Sequence, residues 1–254
     1  MFDLSGKVAI VTGGSRGIGR SVCENMARAG ARVVVTSRKL DACEEVAEAI
    51  RAEGGEALAI ASSLGKQDQL EAMVRQTIDT WGKVDILVCN AAINPYYGPL
   101  AELSNEVFDK MMHSNVRDNL FLCKQVLPGM AERKDGCILV VSSVGGIRGN
   151  SVLGAYGMTK AADMALVRNL AVEWGKKNIR VNCIAPGLIK TDFARALWEN
   201  PDMRKHLENM TPIGRIGEPD DIGLLTTFLA TKGGDFITGE TIVADGGMSI
   251  SQGA

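Results

Sequence analysis

The chain has 254 residues, 46% hydrophobic and 23% charged, with 28 Lys and Arg against 30 Asp and Glu and a net charge of -2. A chain of this length buries roughly 70–75% of the surface its unfolded form exposes, which excludes extensive disorder, and without a Lys/Arg block it is no generic phosphate-backbone binder, so nucleic acid is not an expected partner. No membrane span is expected either: the longest uncharged stretch, Ile86 to Ala101, is 16 residues broken by Asn, Pro and Gly, against the ~20 apolar residues a spanning helix needs.

In chain order, the amino terminus carries Asp3 where a signal peptide has a basic region, and predicts no leader. Val8 to Val11 predicts a buried strand. Directly after it comes Thr12-Gly13-Gly14-Ser15-Arg16-Gly17-Ile18-Gly19. Then Ile18, Val22, Met26 and Ala29 recur at three- and four-residue spacing, the stripe of a helix that Gly30 ends. Glycines at 13, 17 and 19 between a strand and an amphipathic helix allow a tight turn and a close approach of backbone to a pyrophosphate, which the helix N-terminus attracts. The Gly-Lys-Ser/Thr ending of an ATP-binding loop is missing.

Arg32 to Thr36 predicts the second strand. At its end an NAD-binding chain normally has an acid for the ribose 2′-hydroxyl, whereas this one reads Ser37-Arg38-Lys39. A carboxylate there would repel a 2′-phosphate by on the order of 4 kcal/mol at ~4 Å and an effective dielectric of ~20. Arg38, with Arg16 reaching over from the glycine loop, instead offers two guanidinium forks for that phosphate. NADP(H) is therefore preferred, with NAD(H) as the second choice.

Further strands are predicted at Ala57–Ala61, Ile86–Cys89, Cys137–Val141, Arg180–Ile184 and Thr241–Val243. Helices are predicted from Leu40 to Glu53, Lys66 to Trp81, Ser104 to Ala131, Ala155 to Trp174 and Pro219 to Ala230, with Ser104 as an N-cap and Pro219 in a first helical turn. Seven continuously apolar strands alternating with helices predict an α/β fold: a doubly wound, Rossmann-type, seven-stranded parallel sheet with helices on both faces. With no linker-like tract, one domain spanning residues 1–254 is expected. The longest interruption, Gly187 to Glu218, carries Phe193, Leu197, Trp198, Met203 and Met210 and predicts a substrate lid around residues 188–218.

Six cysteines without a C-x-x-C pair predict buried free thiols in a reducing cytoplasm. His113 and His206 are the only histidines and neither has a metal-spaced partner, so no metal site is expected. After the fifth strand comes Ser142-Ser143-Val144-Gly145-Gly146, and then Tyr156 and Lys160, four apart at a helix start and on one face. A phenol with a pKa near ~10 becomes useful for neutral-pH proton transfer when a neighbouring cation favours its phenolate. By itself a Tyr and Lys at that spacing are more often a surface pair.

Together, T-G-x-x-x-G-x-G, a serine thirteen residues before Tyr156 and Y-x-x-x-K make the chain resemble the short-chain dehydrogenase/reductase family in its compact single-domain form. Asn90-Ala91, Asn115, Arg180-Val181-Asn182, Pro186-Gly187 and Asp245-Gly246-Gly247 follow the same pattern in order. The resemblance implies that Tyr156 is the general acid in carbonyl reduction and the base in alcohol oxidation. Lys160 lowers its pKa and holds the nicotinamide ribose, Ser143 rather than Ser142 bonds the substrate oxygen, and Asn115 holds a water linking Lys160 to solvent. Cofactor contacts are implied at Gly13, Ser15, Arg16, Gly17, Ile18 and Gly19 of the turn, and at Ser37 and Arg38. Others fall at Ser63 and Leu64, at Asn90 and Ala91, at Tyr156 and Lys160, and at Pro186, Gly187, Ile189 and Thr191.

The chain departs from the family in having Ser63 for the usual adenine-side Asp, Ala92 for a glycine, and no glycine soon after Asn115. The strings 90–95 and 180–191 look most like the NADPH-dependent carbonyl and retinal reductases, but the terminal Gln252-Gly253-Ala254 is not their peroxisomal tripeptide. The expected activity is hydride transfer between NADP(H) and a ketone, aldehyde or secondary alcohol. Alternatives are a 3-ketoacyl-carrier-protein reductase, which needs a basic docking surface, and a non-catalytic nucleotide sensor on the same fold. Ile93, Asn94, Tyr96, Ile147, Phe193 and Trp198 are candidate pocket residues for a medium-sized, partly apolar small molecule. Family likeness further implies a homotetramer built through the helices at 104–131 and 155–174.

Overall fold

Alternate residues of the apolar runs face opposite ways, and the computed structural model, which describes residues 2–251, shows both faces covered. The terminal tripeptide read for a targeting signal lies outside these residues. The strands are β1 (Val8–Thr12), β2 (Arg32–Ser37), β3 (Glu56–Ala61), β4 (Ile86–Cys89), β5 (Gly136–Val141), β6 (Ile179–Pro186) and β7 (Thr241–Ala244), parallel throughout in the order β3-β2-β1-β4-β5-β6-β7. This is the doubly wound, single-domain sheet that the alternation predicts. The direction of winding reverses between β1 and β4, so the loops after those strands open a crevice at the carboxyl edge of the sheet.

On one face, Ala9, Val11, Val33, Val35 and Leu139 pack against α1 (Gly17–Arg28), α2 (Leu40–Ala52) and α9 (Pro219–Ala230) through Val22, Met26, Val46, Ile50 and Ile222. On the other, Ile10, Val34, Leu87, Ile138 and Val140 meet α3 (Gln67–Trp81), α5 (Asp118–Arg133) and α6 (Gly154–Trp174) through Leu70, Met73, Leu122, Val126 and Val167. Each fully buried Val, Leu, Ile or Met contributes roughly 1.5–3 kcal/mol, so the two layers hold the edge loops on a rigid base. The six cysteines are all free and buried within this core.

One expectation is corrected. The helix read from Ser104 to Ala131 is interrupted: α4 (Asn105–Met112) is followed by a π-helical turn, His113–Arg117, before α5 begins. A π turn inserts a residue without ending the helix, so apolar spacing reads as continuous while the side-chain register rotates. Asn115 lies in that turn and is fully buried. Ser104 does cap α4, its hydroxyl accepting from Val107 N at 3.4 Å. The segment from Gly187 to Glu218 forms a short helix, α7 (Arg195–Trp198), and then α8 (Pro201–Met210), capped by the Asn200 carboxamide.

Candidate active site

The glycine turn sits between β1 and α1, as the crevice requires. Gly17 has φ +53°, a conformation that L side chains rarely adopt, and a Cβ at Gly19 would lie 2.2 Å from the Gly13 carbonyl oxygen. The loop thus folds back on itself with room for backbone alone, and leads straight into the α1 N-terminus, an end that attracts a phosphate. Thr12 braces it from within: its hydroxyl accepts from Asn90 N and Ala91 N, both at 3.0 Å, while Asn90 Nδ2 donates to Thr12 O at 2.8 Å. Asn90 therefore ties the β1 and β4 loops together. Gly17 also abuts Thr191, whose Cγ2 would be 3.0 Å from an added Cβ, so the segment after β6 closes on the glycine turn.

Arg38 at the end of β2 is exposed and has no hydrogen-bond or ion-pair partner among the described residues. Arg16, expected to reach toward it, lies instead 3.6 Å from Asp192 beyond β6. Ser37 Oγ contacts Cys43 Sγ at 3.1 Å, and Ser63 N donates to Gln69 Oε1 at 3.1 Å. Gly65 N, next to Leu64, donates to the buried Asp118 carboxylate, which anchors the β3 loop to α5.

The β5 loop and α6 supply the reacting groups. Ser142 Oγ donates to Lys160 O at 2.8 Å and is spent on structure. Ser143 Oγ only accepts, from Gly145 N at 3.0 Å, so its hydroxyl hydrogen is uncommitted among the described residues. Tyr156, half-buried, lies under the Lys160 ammonium, which is 5.6 Å from the ring centroid, and against Phe193 of the lid, whose ring centroid is 6.1 Å away. Asn115 bonds both polar atoms of Ile93 (Ile93 N to Oδ1 at 2.8 Å, Nδ2 to Ile93 O at 2.9 Å) and donates to Thr159 Oγ1 at 3.2 Å. It fixes the loop after β4 to the start of α6.

Lys160 is only 1% exposed. Its Nζ donates to Val141 O at 2.9 Å and to Asp163 Oδ2 at 3.0 Å, and the other Asp163 oxygen accepts from Asn119 Nδ2 at 3.0 Å. Asn119 Nδ2 also donates to the Asn115 carbonyl at 2.7 Å. The connection between Asn115 and Lys160 thus runs through Asn119 and Asp163, neither of which the motif analysis singled out. Both carried a signal: Asp163 is three residues past Lys160 and Asn119 four past Asn115, on helix faces otherwise apolar.

This changes the electrostatics expected from a Tyr–Lys pair alone. Burial pushes the Tyr156 phenol above its ordinary range; Lys160 pulls it down, as the sequence implies, but Asp163 adds to the rise and the net direction is upward. Burial alone would lower the Lys160 ammonium, yet the neighbouring Asp163 and Tyr156 oxygens hold it well above its ordinary value.

Comparison with known proteins follows this geometry. A family model described as enoyl-(acyl carrier protein) reductase matches residues 13–249. Dehydrogenase/reductase SDR family member 4 of Sus scrofa is 40% identical over 97% of this chain and 88% of its own length, and the Homo sapiens protein of that name is 37% identical over 96% and 88%. The chain belongs to the short-chain dehydrogenase/reductase family. It is an oxidoreductase of that family, and solved members superpose closely. A gluconate 5-dehydrogenase from Burkholderia cenocepacia J2315, in complex with NADP and tartrate, gives a TM-score of 0.93 at 30% identity over 98% of both chains. A 7α-hydroxysteroid dehydrogenase complexed with NADH and 7-oxo glycochenodeoxycholic acid gives 0.93 at 35% identity over 97% of this chain and 95% of that one.

Proposed function

We propose that this short-chain dehydrogenase/reductase interconverts a ketone or aldehyde and the corresponding alcohol with a nicotinamide dinucleotide, NADP(H) in preference to NAD(H). One observation carries the reading: Tyr156 lies beside a fully buried ammonium, and Ser143 in the adjoining loop has a free hydroxyl hydrogen. A glycine cradle that a Cβ would fill, and an unpartnered Arg38 at the end of β2, suit a dinucleotide with a 2′-phosphate. Gly13, Ser15, Arg16, Gly17, Ile18 and Gly19 would hold the pyrophosphate, and Pro186, Gly187, Ile189 and Thr191 the nicotinamide end. Ser37 and Arg38 would take the adenosine ribose, and Ser63, Leu64, Asn90 and Ala91 the adenine side. When bound, the dinucleotide supplies or accepts the hydride.

In reduction, Ser143 donates a hydrogen bond to the substrate carbonyl oxygen and Tyr156 transfers its phenolic proton to that oxygen as negative charge develops. In oxidation the phenolate takes the alcohol proton back. Lys160 would stabilise the phenolate, and its remaining N–H would be available to the cofactor ribose. Phe193 and Ile147, 54% and 51% exposed, would give the substrate crevice a partly apolar wall, with α7 and α8 as its lid; Trp198 Nε1 donates to Thr191 O at 2.8 Å and ties α7 to the segment after β6. An acyl-carrier substrate is disfavoured because, of the lid cations Arg195, Arg204 and Lys205, the first two pair with Asp192 and Glu208, and Lys205 alone makes no basic docking surface. Six buried free thiols suit a reducing, cytoplasmic setting. Among the described residues no helix is long and apolar enough to cross a membrane.

The decisive experiment is Tyr156→Phe, assayed by nicotinamide absorbance on a panel of carbonyls and alcohols. Turnover is expected to fall by at least ~10³-fold, in keeping with loss of a positioned proton donor, while dinucleotide binding persists. Near-normal turnover in the variant would refute the mechanism, and no turnover by the native chain on any substrate of the panel would favour a nucleotide-binding role.

A further inference from the structure

A buried carboxylate in van der Waals reach of a catalytic ammonium is costly unless it does something for that ammonium, since each desolvated ion loses several kcal/mol of hydration in order of magnitude. Asp163 has no exposed surface, and every polar contact it makes belongs to one network: Lys160 Nζ on Oδ2 and Asn119 Nδ2 on Oδ1. The network touches no other charged group. Facing it from β4 and β6 are the thiols of Cys89 and Cys183. Contact with Cys123 of α5 and burial hold Cys89 well above the usual thiol range, and burial pushes Cys183 up to about 11, so both stay uncharged. Tyr97, on the lip above, is the remaining titratable neighbour of Tyr156. The charges that act on the Tyr156 phenol are therefore Lys160, which favours phenolate, and Asp163, which opposes it.

We propose that Asp163, held by Asn119, is a positioning residue for the Tyr156–Lys160 pair: it locks the ammonium in place and offsets part of its charge, so that Tyr156 keeps its proton to a higher pH than Lys160 alone would allow. The proposal rests on Tyr156 being the proton-transfer group. Geometry gives the sign. The Asp163 and Tyr156 oxygens both raise the Lys160 ammonium; with an isosteric amide in place of the carboxylate it gives up part of that rise and is still held by the Val141 carbonyl and the Tyr156 oxygen. The phenol then meets an unopposed positive charge, and its proton becomes easier to remove. In the native chain the reverse holds: the donor form needed for carbonyl reduction persists into alkaline solution, and alcohol oxidation, which needs the phenolate, gains only as the pH rises through the phenol's pKa.

The test is an ultraviolet titration of tyrosinate on the full chain without substrate or cofactor, in which Tyr156 is isolated as the difference between each protein and its Y156F counterpart. In D163N the Tyr156 midpoint is expected about one pH unit lower, a tenfold rise in phenolate at a given pH below it. The rising limb of alcohol oxidation moves down by the same amount. Circular dichroism checks the fold. N119A keeps Asp163 but removes the N–H that favours its charged form, and shifts the midpoint the same way by less. A midpoint that stays in place or moves up in the folded variants overturns the proposal. Because the titration needs no turnover, it is independent of the Y156F rate test, which can fail while this result stands.

Discussion

Lys160 shows how one residue can be both a cost and a device. An ammonium buried without partners would neutralise itself or destabilise the fold; here Val141 O and Asp163 each take one of its three hydrogens. The third is left for the reaction. Arg38 is the opposite case, a cation left without a partner at the place where a 2′-phosphate would lie. Arg38→Asp removes a charge-assisted fork and adds a repelling carboxylate, so NADPH affinity measured by nicotinamide fluorescence is expected to fall by tenfold or more, about 1.4 kcal/mol. NADH affinity should change little. An unchanged preference ratio would contradict the assignment. Arg16 is the less direct contributor, because a cofactor phosphate has to compete for it with Asp192 at 3.6 Å.

At the scale of elements, the distance between Ser143 and Tyr156 is set by backbone meeting backbone. A Cβ on Gly157 of α6 would lie 2.4 Å from Gly145 O, and one on Gly146 would lie 2.8 Å from Lys160 C. The β5 loop thus lies directly on the first turns of α6, and no side chain separates them. Gly157→Ala must push the two apart. A displacement near 1 Å at the reacting groups costs on the order of 10²-fold in rate, so kcat is expected to fall by about that factor, with dinucleotide affinity altered only a few-fold. A variant with native kcat would show that the loop takes its position from elsewhere. The π turn at residues 113–117 is a second device of this kind, since it turns the Asn115 side chain onto Ile93 and Thr159 and so binds the β4 loop to α6.

At the scale of the whole molecule, the reversal of winding between β1 and β4 gathers every functional loop at one edge of the sheet. No part of the 13–249 match is left over for a separate substrate domain. The opposite concern is the apolar surface left outside. An open groove of about 750 Å³ on α4, the π turn, α5 and α6 is lined by Met112, Val116, Leu120 and Leu166 within a rim of Asp109, Lys110, His113 and Arg117, and Leu120 is 39% exposed. We read this as a face between copies of the chain, in line with the homotetramer implied by family likeness. Light scattering is expected to give the mass of four chains for the native protein and a smaller particle for Leu120→Glu, which places a charge in that groove. A native protein that runs as one chain would remove the tetramer from the account.

Strand positions, the winding of the sheet, the glycine turn and the Tyr156–Lys160 pairing are all legible in sequence, because each depends on spacing along the chain: periods of two or nearly four residues, and a turn of fixed length. Ser143 was separable from Ser142 only by family spacing, and the structure supplies the physical difference in the Ser142 bond to Lys160 O. The break of the long helix at Asn115 was hidden, since a π turn preserves apolar periodicity. Asp163 and Asn119 were hidden for a different reason. The three-residue spacing of Asp163 from Lys160 on α6 is readable, but a buried Asp looks the same in sequence as a surface one, and only the packing of α5 against α6 buries it and gives it the Asn119 bond, so that its charge, with burial, outweighs the lysine's pull on the phenol. Local chemistry could be read along the chain; the balance of charges at the site had to wait for the fold, because the strength of neighbouring charges depends on how deeply the packed helices and sheet bury them.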